Sequence, residues 1–286
     1  MPSERELKRR VVSVRNVQQV TRAMQTISAS KMRRAQVAVR ASRPYEERLR
    51  AVLHELAPYA DPEVHPLLAR RPVRRSAIVV VTTDRGLVGA VNANLLRTAL
   101  RLADQRPATT FIAVGRKGIA QLRRARLSIT AEFSRLGDRP TTADTSVIAR
   151  VALEEFLSAR VDEVHLAFTQ FVNTIRQVPL VRRILPLVPE EEERKGFAPL
   201  QYIFEPDPPT VLGAVLQRLV EVAIYQAVLE NIASEHSARM VAMRNATDAA
   251  ADLISELTLA MNKARQWRIT KEMLEIASGA EALAKG

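Results

Sequence analysis

The stretch Thr83-Asp84-Arg85-Gly86-Leu87-Val88-Gly89-Ala90-Val91-Asn92 is the one place where the sequence hints at anion chemistry. A glycine pair between a strand and a helix lets backbone N–H groups approach a phosphate. The spacing is neither G-x-G-x-x-G nor G-x-x-x-x-G-K-[ST], and the lysine and hydroxyl that hold phosphate and magnesium are missing. A tight strand-to-helix turn is the reading these residues favour over a nucleotide loop. His54, His65, His165 and His236 have no mutual ligand spacing, and the chain has no cysteine to support them. His236 reads as a polar register residue rather than a metal ligand. Glu154 and Glu155 are adjacent, so on a helix they face different ways and make no acid–base pair. No nucleophile stands beside a base. No catalytic residue, cofactor site or metal site is therefore expected.

The second chemical feature is charge. Lys8, Arg9, Arg10, Arg15, Arg22, Lys31, Arg33, Arg34, Arg40 and Arg43 fall within 36 residues that contain no Asp or Glu. Such a face repels itself unless a partner neutralises it. The shortage of aromatic residues (4%) argues against single-stranded nucleic acid, and no nucleic-acid module is visible. The net charge of +12 is concentrated toward the N-terminus: residues 1–57 carry +8, 58–209 carry +5 and 210–286 carry −1. The absence of cysteine excludes disulfides, thiolate metal sites and thiol nucleophiles. Met1–Arg10 is charged and lacks the apolar core of a signal peptide. The longest uninterrupted apolar run, Ala77–Val81, is far short of the roughly 20 residues of a membrane span. A soluble chain is expected, attached to a membrane only through something else.

The elements that must carry these residues are unusual. Apart from Pro2 and Pro44, every proline lies between Pro58 and Pro209. Beyond Asp207, a natural N-cap, no glycine interrupts the chain between Gly213 and Gly279, where a stop is expected. Steps of four and three from Val215 through Leu219, Val222 and Gln226 to Met261 and Ala264 keep twelve of fifteen positions apolar. A 3.5-residue period held this long specifies a coiled coil. Ser3-Glu4-Arg5-Glu6 has capping-box form, and Leu7, Val11, Val14, Val17, Val20, Met24 and Ile27 recur at helical spacing. A helix continues toward Leu56 with a bend at Pro44. It suits an antiparallel partner for the C-terminal helix, with parallel pairing of two copies as the competing geometry. Between the arms, strands at Ser76–Thr83, Thr110–Val114, Leu127–Phe133, Val164–Phe171 and Val178–Leu187 alternate with helices at Asn92–Gln105, Arg116–Arg124 and Thr145–Ser158. This alternation predicts a parallel α/β layer, with Glu190–Glu193 as a solvated loop. The fold class is thus α/β with long terminal helices: an antiparallel coiled coil of both termini plus an inserted Rossmann-like domain. Its boundaries are set at 1–57 for the first helix, 58–75 for a linker, 76–206 for the α/β foot and 207–286 for the last helix.

Val20-Thr21-Arg22-Ala23-Met24 and Ala29-Ser30-Lys31-Met32-Arg33-Arg34-Ala35-Gln36 resemble the N-terminal helix of ATP synthase gamma subunits. Thr83-Asp84-Arg85-Gly86-Leu87 with Asn92-Ala93-Asn94-Leu95 is similar to that family's first strand–loop–helix. The densest likeness is Ala238-Arg239-Met240-Val241-Ala242-Met243-Arg244-Asn245-Ala246-Thr247-Asp248. It continues through Leu257-Thr258-Leu259, Asn262-Lys263-Ala264-Arg265-Gln266 and Ile269-Thr270-Lys271-Glu272. The resemblance implies a non-catalytic central stalk, one copy per complex, turning inside a hexamer of alpha and beta subunits. The foot would stand beside the epsilon subunit and the c-ring, with no nucleic acid and only indirect membrane contact. The expected place is the cytoplasmic face of a bacterial inner or plasma membrane. It further implies that Arg265, Gln266 and Thr270, with Met24, grip the head. Lys31, Arg33 and Arg34 would meet acidic levers of the beta subunits, as would the loop of Val88. Tyr202 and Glu205 would lie near the c-ring, and the tip at Met273, Leu274, Ile276, Ala277 and Ala280 would either turn in an apolar sleeve or form an ordinary helix face. Family members often carry Cys and Gly where this chain has Val88 and Ala90. The cysteine insertion of chloroplast relatives is absent, so thiol control is not expected.

Overall fold

A computed structural model of the chain describes residues 3–56, 65–187, 205 and 207–284. The element order is α1 (Glu4–Leu56), β1 (Ser76–Val81), α2 (Val91–Asp104), β2 (Thr109–Val114) and α3 (Arg116–Arg124). It continues with β3 (Ile129–Phe133), α4 (Thr142–Leu157), β4 (Glu163–Phe171), β5 (Gln177–Leu185) and α5 (Pro208–Ala284). The segment Glu190–Glu193 lies outside the described residues.

The chain forms two compact units. The larger, residues 28–239, is built on a five-stranded sheet of order β3-β2-β1-β4-β5. β1 to β4 are parallel, as the strand–helix alternation predicts, but β5 is antiparallel to β4. Only residues 172–176 join those two strands, too few for the crossover that parallel strands need. Side chains alternate across the pleat, so β1 serves two cores. Ile78 and Val80 pack with Leu95, Leu96 and Leu122 of α2 and α3. Ala77, Val79 and Val81 face α4, α5 and the Ala35–Val39 turn of α1. The start of α4 is held by a capping box in which Thr141 and Asp144 bond reciprocally.

Burial along α5 explains its composition. From Leu212 to Arg239 nearly every face is covered, because this stretch packs on the sheet and on α1 at once. An 18-residue window within Thr210–Ala280 reaches a mean hydropathy of 1.4, above what uninterrupted runs suggested, with 56% of it buried in the protein. Beyond Met240 burial narrows to the predicted seam: Met243 and Ala250 are buried, and Thr247, Ile254, Leu257, Met261 and Ala264 are half-buried. Asp207 accepts the Thr210 N–H at 3.0 Å, confirming it as the cap. Gly279 does not stop the helix, which runs on to Ala284. A glycine in an exposed helix costs about 1 kcal/mol, and termination additionally needs a left-handed residue and a capping partner.

The smaller unit comprises residues 1–27 and 240–286. Thr21 and Thr247 share a hydroxyl–hydroxyl bond of 2.8 Å, and Arg268 reaches Glu4 at 3.2 Å, so the helices run antiparallel within one chain. Past Arg268 the tip of α5 outruns α1 and is exposed. The seam of α1 corrects the expectation. Buried Leu7, Val11, Thr21, Ser28, Met32, Ala35 and Val39, with half-buried Val14, Gln18 and Gln25, form an unbroken series of three- and four-residue steps. Val17, Val20 and Ile27, expected in the seam, are more than half exposed. Following apolar residues at successive threes drifts around the helix, whereas the 3.5-residue period passes through Gln18, Thr21, Gln25 and Ser28. At the head of α1 the Ser3 hydroxyl accepts the Glu6 N–H at 3.3 Å. α1 is assigned as one helix through Pro44.

Candidate functional site

The turn after β1 is organised by its own polar side chains. Thr83 donates to the Arg85 carbonyl at 2.6 Å and accepts from the Asn92 amide at 2.8 Å, while the Asn92 carbonyl oxygen accepts the Thr83 N–H at 3.2 Å. Asp84 accepts the backbone N–H of Arg116 at 3.0 Å and that of Arg135 at 2.8 Å. Arg116 opens α3, so the anion at this helix N-terminus is the chain's own carboxylate. Asp84 thus sets a negative charge within the turn itself, which disfavours a second anion beside it. Leu87 and Gly89 take left-handed backbone, with φ of 62° and 57°. The twist sends neighbouring side chains in opposite directions: Val88 is 3% exposed against Val91 and Ala238, and Leu87 is 62% exposed. Leu87 is therefore the side chain that this turn presents at its surface, with Val88 packed beneath it.

Beneath the turn, Thr82 donates to the Val114 carbonyl at 2.8 Å and accepts the Gly118 N–H at 2.9 Å. A Cβ on Gly118 would lie 2.6 Å from the Thr82 hydroxyl, and one on Gly115 would lie 2.2 Å from its carbonyl oxygen. Only glycine permits this approach of α3 to β1.

In an open parallel sheet a small ligand binds where the strand order reverses, outside the carboxyl ends of the strands. Here that point lies between β1 and β4, and α5 fills it. Arg239 donates to the Gly86 carbonyl at 3.2 Å and to Glu235 at 2.6 Å. Ser234 donates to the Thr169 carbonyl at 3.0 Å, and Glu230 accepts the Phe171 N–H at 2.8 Å while pairing with Arg43 at 3.0 Å. His236, 3% exposed, has Nε2 3.1 Å from Asp138 and Nδ1 3.4 Å from the Arg239 guanidinium. An imidazole donating from Nε2 and accepting at Nδ1 is neutral. Burial accordingly pushes its pKa down to about 4, against the pull of Asp138. Burial also works to raise Asp138, but the Lys31 hydrogen bond at 2.6 Å and the interaction with His236 outweigh it and leave the carboxyl below its ordinary value. Burial pushes Glu235 up against the pull of Arg239. No group of three or more His, Asp or Glu that could hold a metal exists among the described residues.

The expected contact residues are scattered along the surface rather than gathered into a cleft. Arg265, Gln266 and Thr270 are exposed on α5, with the Thr270 hydroxyl turned back onto the Gln266 carbonyl at 3.0 Å. Arg33 and Arg34 are exposed on α1 and make no ion pair among the described residues. Lys31 is neutralised by Asp138, and Met24 is half-buried. Glu205 is exposed, whereas Tyr202 lies outside the described residues. Sequence reasoning passed over Asp138, Ser237 and the anchoring role of Arg239. Arg239 lies one turn from the seam residue His236, and an arginine four residues after a glutamate was the signal the sequence offered. A cleft of about 860 Å³ lies between α4 and α5, lined by His65, Leu153, Glu154, Gln217 and Glu221. Its carboxylates are already paired, Glu154 with Arg160 and Glu221 with Arg218, so it presents no convergent acid and base.

A family model described as "ATP synthase" matches residues 3–283. A protein of Dehalococcoides mccartyi named ATP synthase gamma chain is 49% identical over 290 residues, spanning 99% of this chain and all of the relative. One of the same name from Roseiflexus castenholzii is 50% identical over 291 residues, covering both chains completely. Among solved structures, a chain of the Euglena gracilis mitochondrial ATP synthase OSCP/F1/c-ring assembly superposes with a TM-score of 0.70 at 19% identity, covering 98% of this chain and 94% of that one. A chain of the Tetrahymena thermophila mitochondrial ATP synthase central stalk and c-ring gives 0.61 at 24% identity, covering 79% and 99%. The alternation of layers and the two terminal helices are thus shared over nearly the full length.

Proposed function

This chain belongs to the ATP synthase gamma-chain family, and from that membership we propose that it is the central shaft of a rotary proton-translocating ATP synthase and not itself a catalyst. One observation carries the mechanical reading: the crevice where a Rossmann-like sheet would bind its ligand is filled by α5, the same helix that runs on into the coiled coil. The sheet thereby becomes an anchor for the shaft rather than a binding site.

Rotation of the c-ring turns the α/β foot, and the coiled coil carries that rotation into a hexamer of alpha and beta subunits. The shaft acts by differential contact. Each orientation favours one conformation of a given beta site over the others, which is a population shift driven by the free energy of those contacts. The residues suited to such contacts are the exposed cations Arg33 and Arg34 on α1 and the exposed Arg265, Gln266 and Thr270 on α5. Lys31 acts through its bond to Asp138, Met24 from the flank of the seam, and Val88 by backing the turn that exposes Leu87. Tyr202 and Glu205 are assigned to the c-ring side, beside the epsilon subunit. One copy serves each complex, at the cytoplasmic face of a bacterial membrane, touched only through the c-ring, with no nucleic acid involved.

The test is to tag the chain in its native host, isolate its complex and assay magnesium-dependent ATP hydrolysis. A stoichiometric complex with alpha and beta subunits, in which coupling fails once Arg265 and Gln266 are both changed to Ala, supports the shaft. Recovery of the chain alone, or with nucleic acid and no ATPase partner, contradicts it.

A further inference from the structure

The four parallel strands end on one edge of the sheet, and every turn leaving that edge carries an exposed cation. Arg85 follows β1, Arg116 and Lys117 follow β2, Arg135 follows β3 and Arg176 follows β4. Apart from Arg116, 3.8 Å from Asp84, none of these side chains has an ion pair among the described residues. The acids at this edge are committed: Asp84 to two backbone N–H groups, Asp138 to Lys31 and His236.

On this cationic edge stands an apolar knob. Ile175, in the Val172–Arg176 turn between β4 and β5, is 88% exposed, the most of any large apolar side chain among the described residues. The turn beneath it is fixed in shape. Asn173 Oδ1 accepts the N–H groups of Ile175 and Arg176 at 2.9 and 2.8 Å. Gln177 Nε2 donates to the carbonyls of Asn173 and Thr174 at 3.1 and 3.0 Å, and the Ser237 hydroxyl donates to Thr174 O at 2.7 Å. Ser237 and Arg239 are on the same turn of α5, so one helical turn pins both the Ile175 turn and, through Gly86 O, the Leu87 turn. An aliphatic side chain on a pre-ordered backbone is buried by a partner at the cost of its own rotamers alone, which is how an interface anchor behaves. Its position on a cationic rim selects an acidic partner.

We propose that the Ile175 turn is a docking point for an acidic, apolar-faced segment of a partner subunit, with Ile175 as the anchor and Arg176 and Arg85 as the rim. The inference rests on the shaft reading above and names the catalytic subunits of the surrounding head as the source of that segment. It adds to the Leu87 turn a second, independent contact, so that the sheet edge engages the head through two rigid aliphatic tips.

The chain contains no cysteine, so Ile175→Cys introduces its only thiol. Maleimide labelling at position 175 is compared between the free chain and the assembled complex built with cysteine-free head subunits, with Arg101→Cys on exposed α2 as control. Exclusion of water at a docked anchor predicts labelling of position 175 slowed by about tenfold or more on assembly, with position 101 changed by less than about twofold. A benzophenone maleimide at position 175 is expected to cross-link to an acidic stretch of the catalytic subunit, and adding Arg176→Glu is expected to lower that yield at least about threefold. Equal labelling in the free and assembled states, cross-linking to a different subunit, or a yield indifferent to Arg176→Glu overturns the proposal. A wild-type chain that does not assemble with the head removes the shaft reading itself; assembly that leaves the thiol of Ile175→Cys freely reactive removes only this docking point.

Discussion

Replacing Arg239 with Ala removes the side chain that joins α5 to the turn after β1. Arg239 is 7% exposed, and its guanidinium bonds to the Gly86 carbonyl at 3.2 Å and to Glu235 at 2.6 Å. Its loss strands Glu235, whose side chain is only 13% exposed, and leaves a carbonyl without its donor. Breaking a buried pair from one side costs about 3–5 kcal/mol. Glu235 relieves part of this by taking up a proton, since burial already raises its pKa and the opposing cation is gone. The expected loss is therefore about 3 kcal/mol at neutral pH. A carboxyl whose folded pKa exceeds its unfolded value adds stability that is present at low pH and lost as the pH rises through the folded pKa. The deficit of Arg239→Ala should thus narrow as the pH falls from about 7.5 to about 5. The assay is urea unfolding followed by circular dichroism at both pH values, for the wild type, Arg239→Ala, Glu235→Gln and the double variant. The double variant should recover at least about 1 kcal/mol relative to Arg239→Ala, because no buried charge is then stranded. A deficit below about 1 kcal/mol, or one indifferent to both pH and Glu235→Gln, refutes the reasoning.

The remaining expectations come from other parts of the fold. Gly118→Ala places a methyl 2.6 Å from the Thr82 hydroxyl and should lower stability by about 1–3 kcal/mol by overpacking, read from the urea midpoint; a neutral effect would show that α3 shifts freely on β1. Thr21→Val and Thr247→Val should each cost only about 0.5–1 kcal/mol, because the remaining hydroxyl keeps its backbone acceptor (Met243 O for Thr247, Gln18 O for Thr21), and a double-mutant cycle should report a coupling of no more than about 1 kcal/mol; a larger coupling would contradict this. His236, with its pKa depressed to about 4, contributes stability present above the unfolded value of about 6.5 and lost as the pH falls toward 4, roughly 3 kcal/mol in all. His236→Gln should flatten the stability profile between those limits, and an unchanged slope would remove His236 as its source.

Much of this arrangement was legible in the sequence because it is periodic. The limits of α3, the β-branched strand β1, the Asp207 cap and the seam of α5 beyond Met240 each follow from local patterns. The α1 seam was not legible past Val14, because four consecutive seam positions there are polar while the apolar residues lie on the exposed flank. Burial all round the first half of α5 was equally hidden, since it depends on a sheet and a second helix packing on opposite faces. The identity of the exposed residue in the Leu87–Val88 pair turned on a positive φ at a non-glycine position, which sequence does not announce. The self-occupied anion site needed Asp84 to meet N–H groups 32 and 51 residues away, a purely tertiary fact.

The central claim is that this chain turns. With the head immobilised and a bead attached through a single Arg101→Cys on α2, hydrolysis of ATP should drive stepwise rotation in one sense. That rotation should lose torque or stall when Arg265 and Gln266 are both Ala. ATP hydrolysis by a complete complex in which the bead stays still would contradict the account.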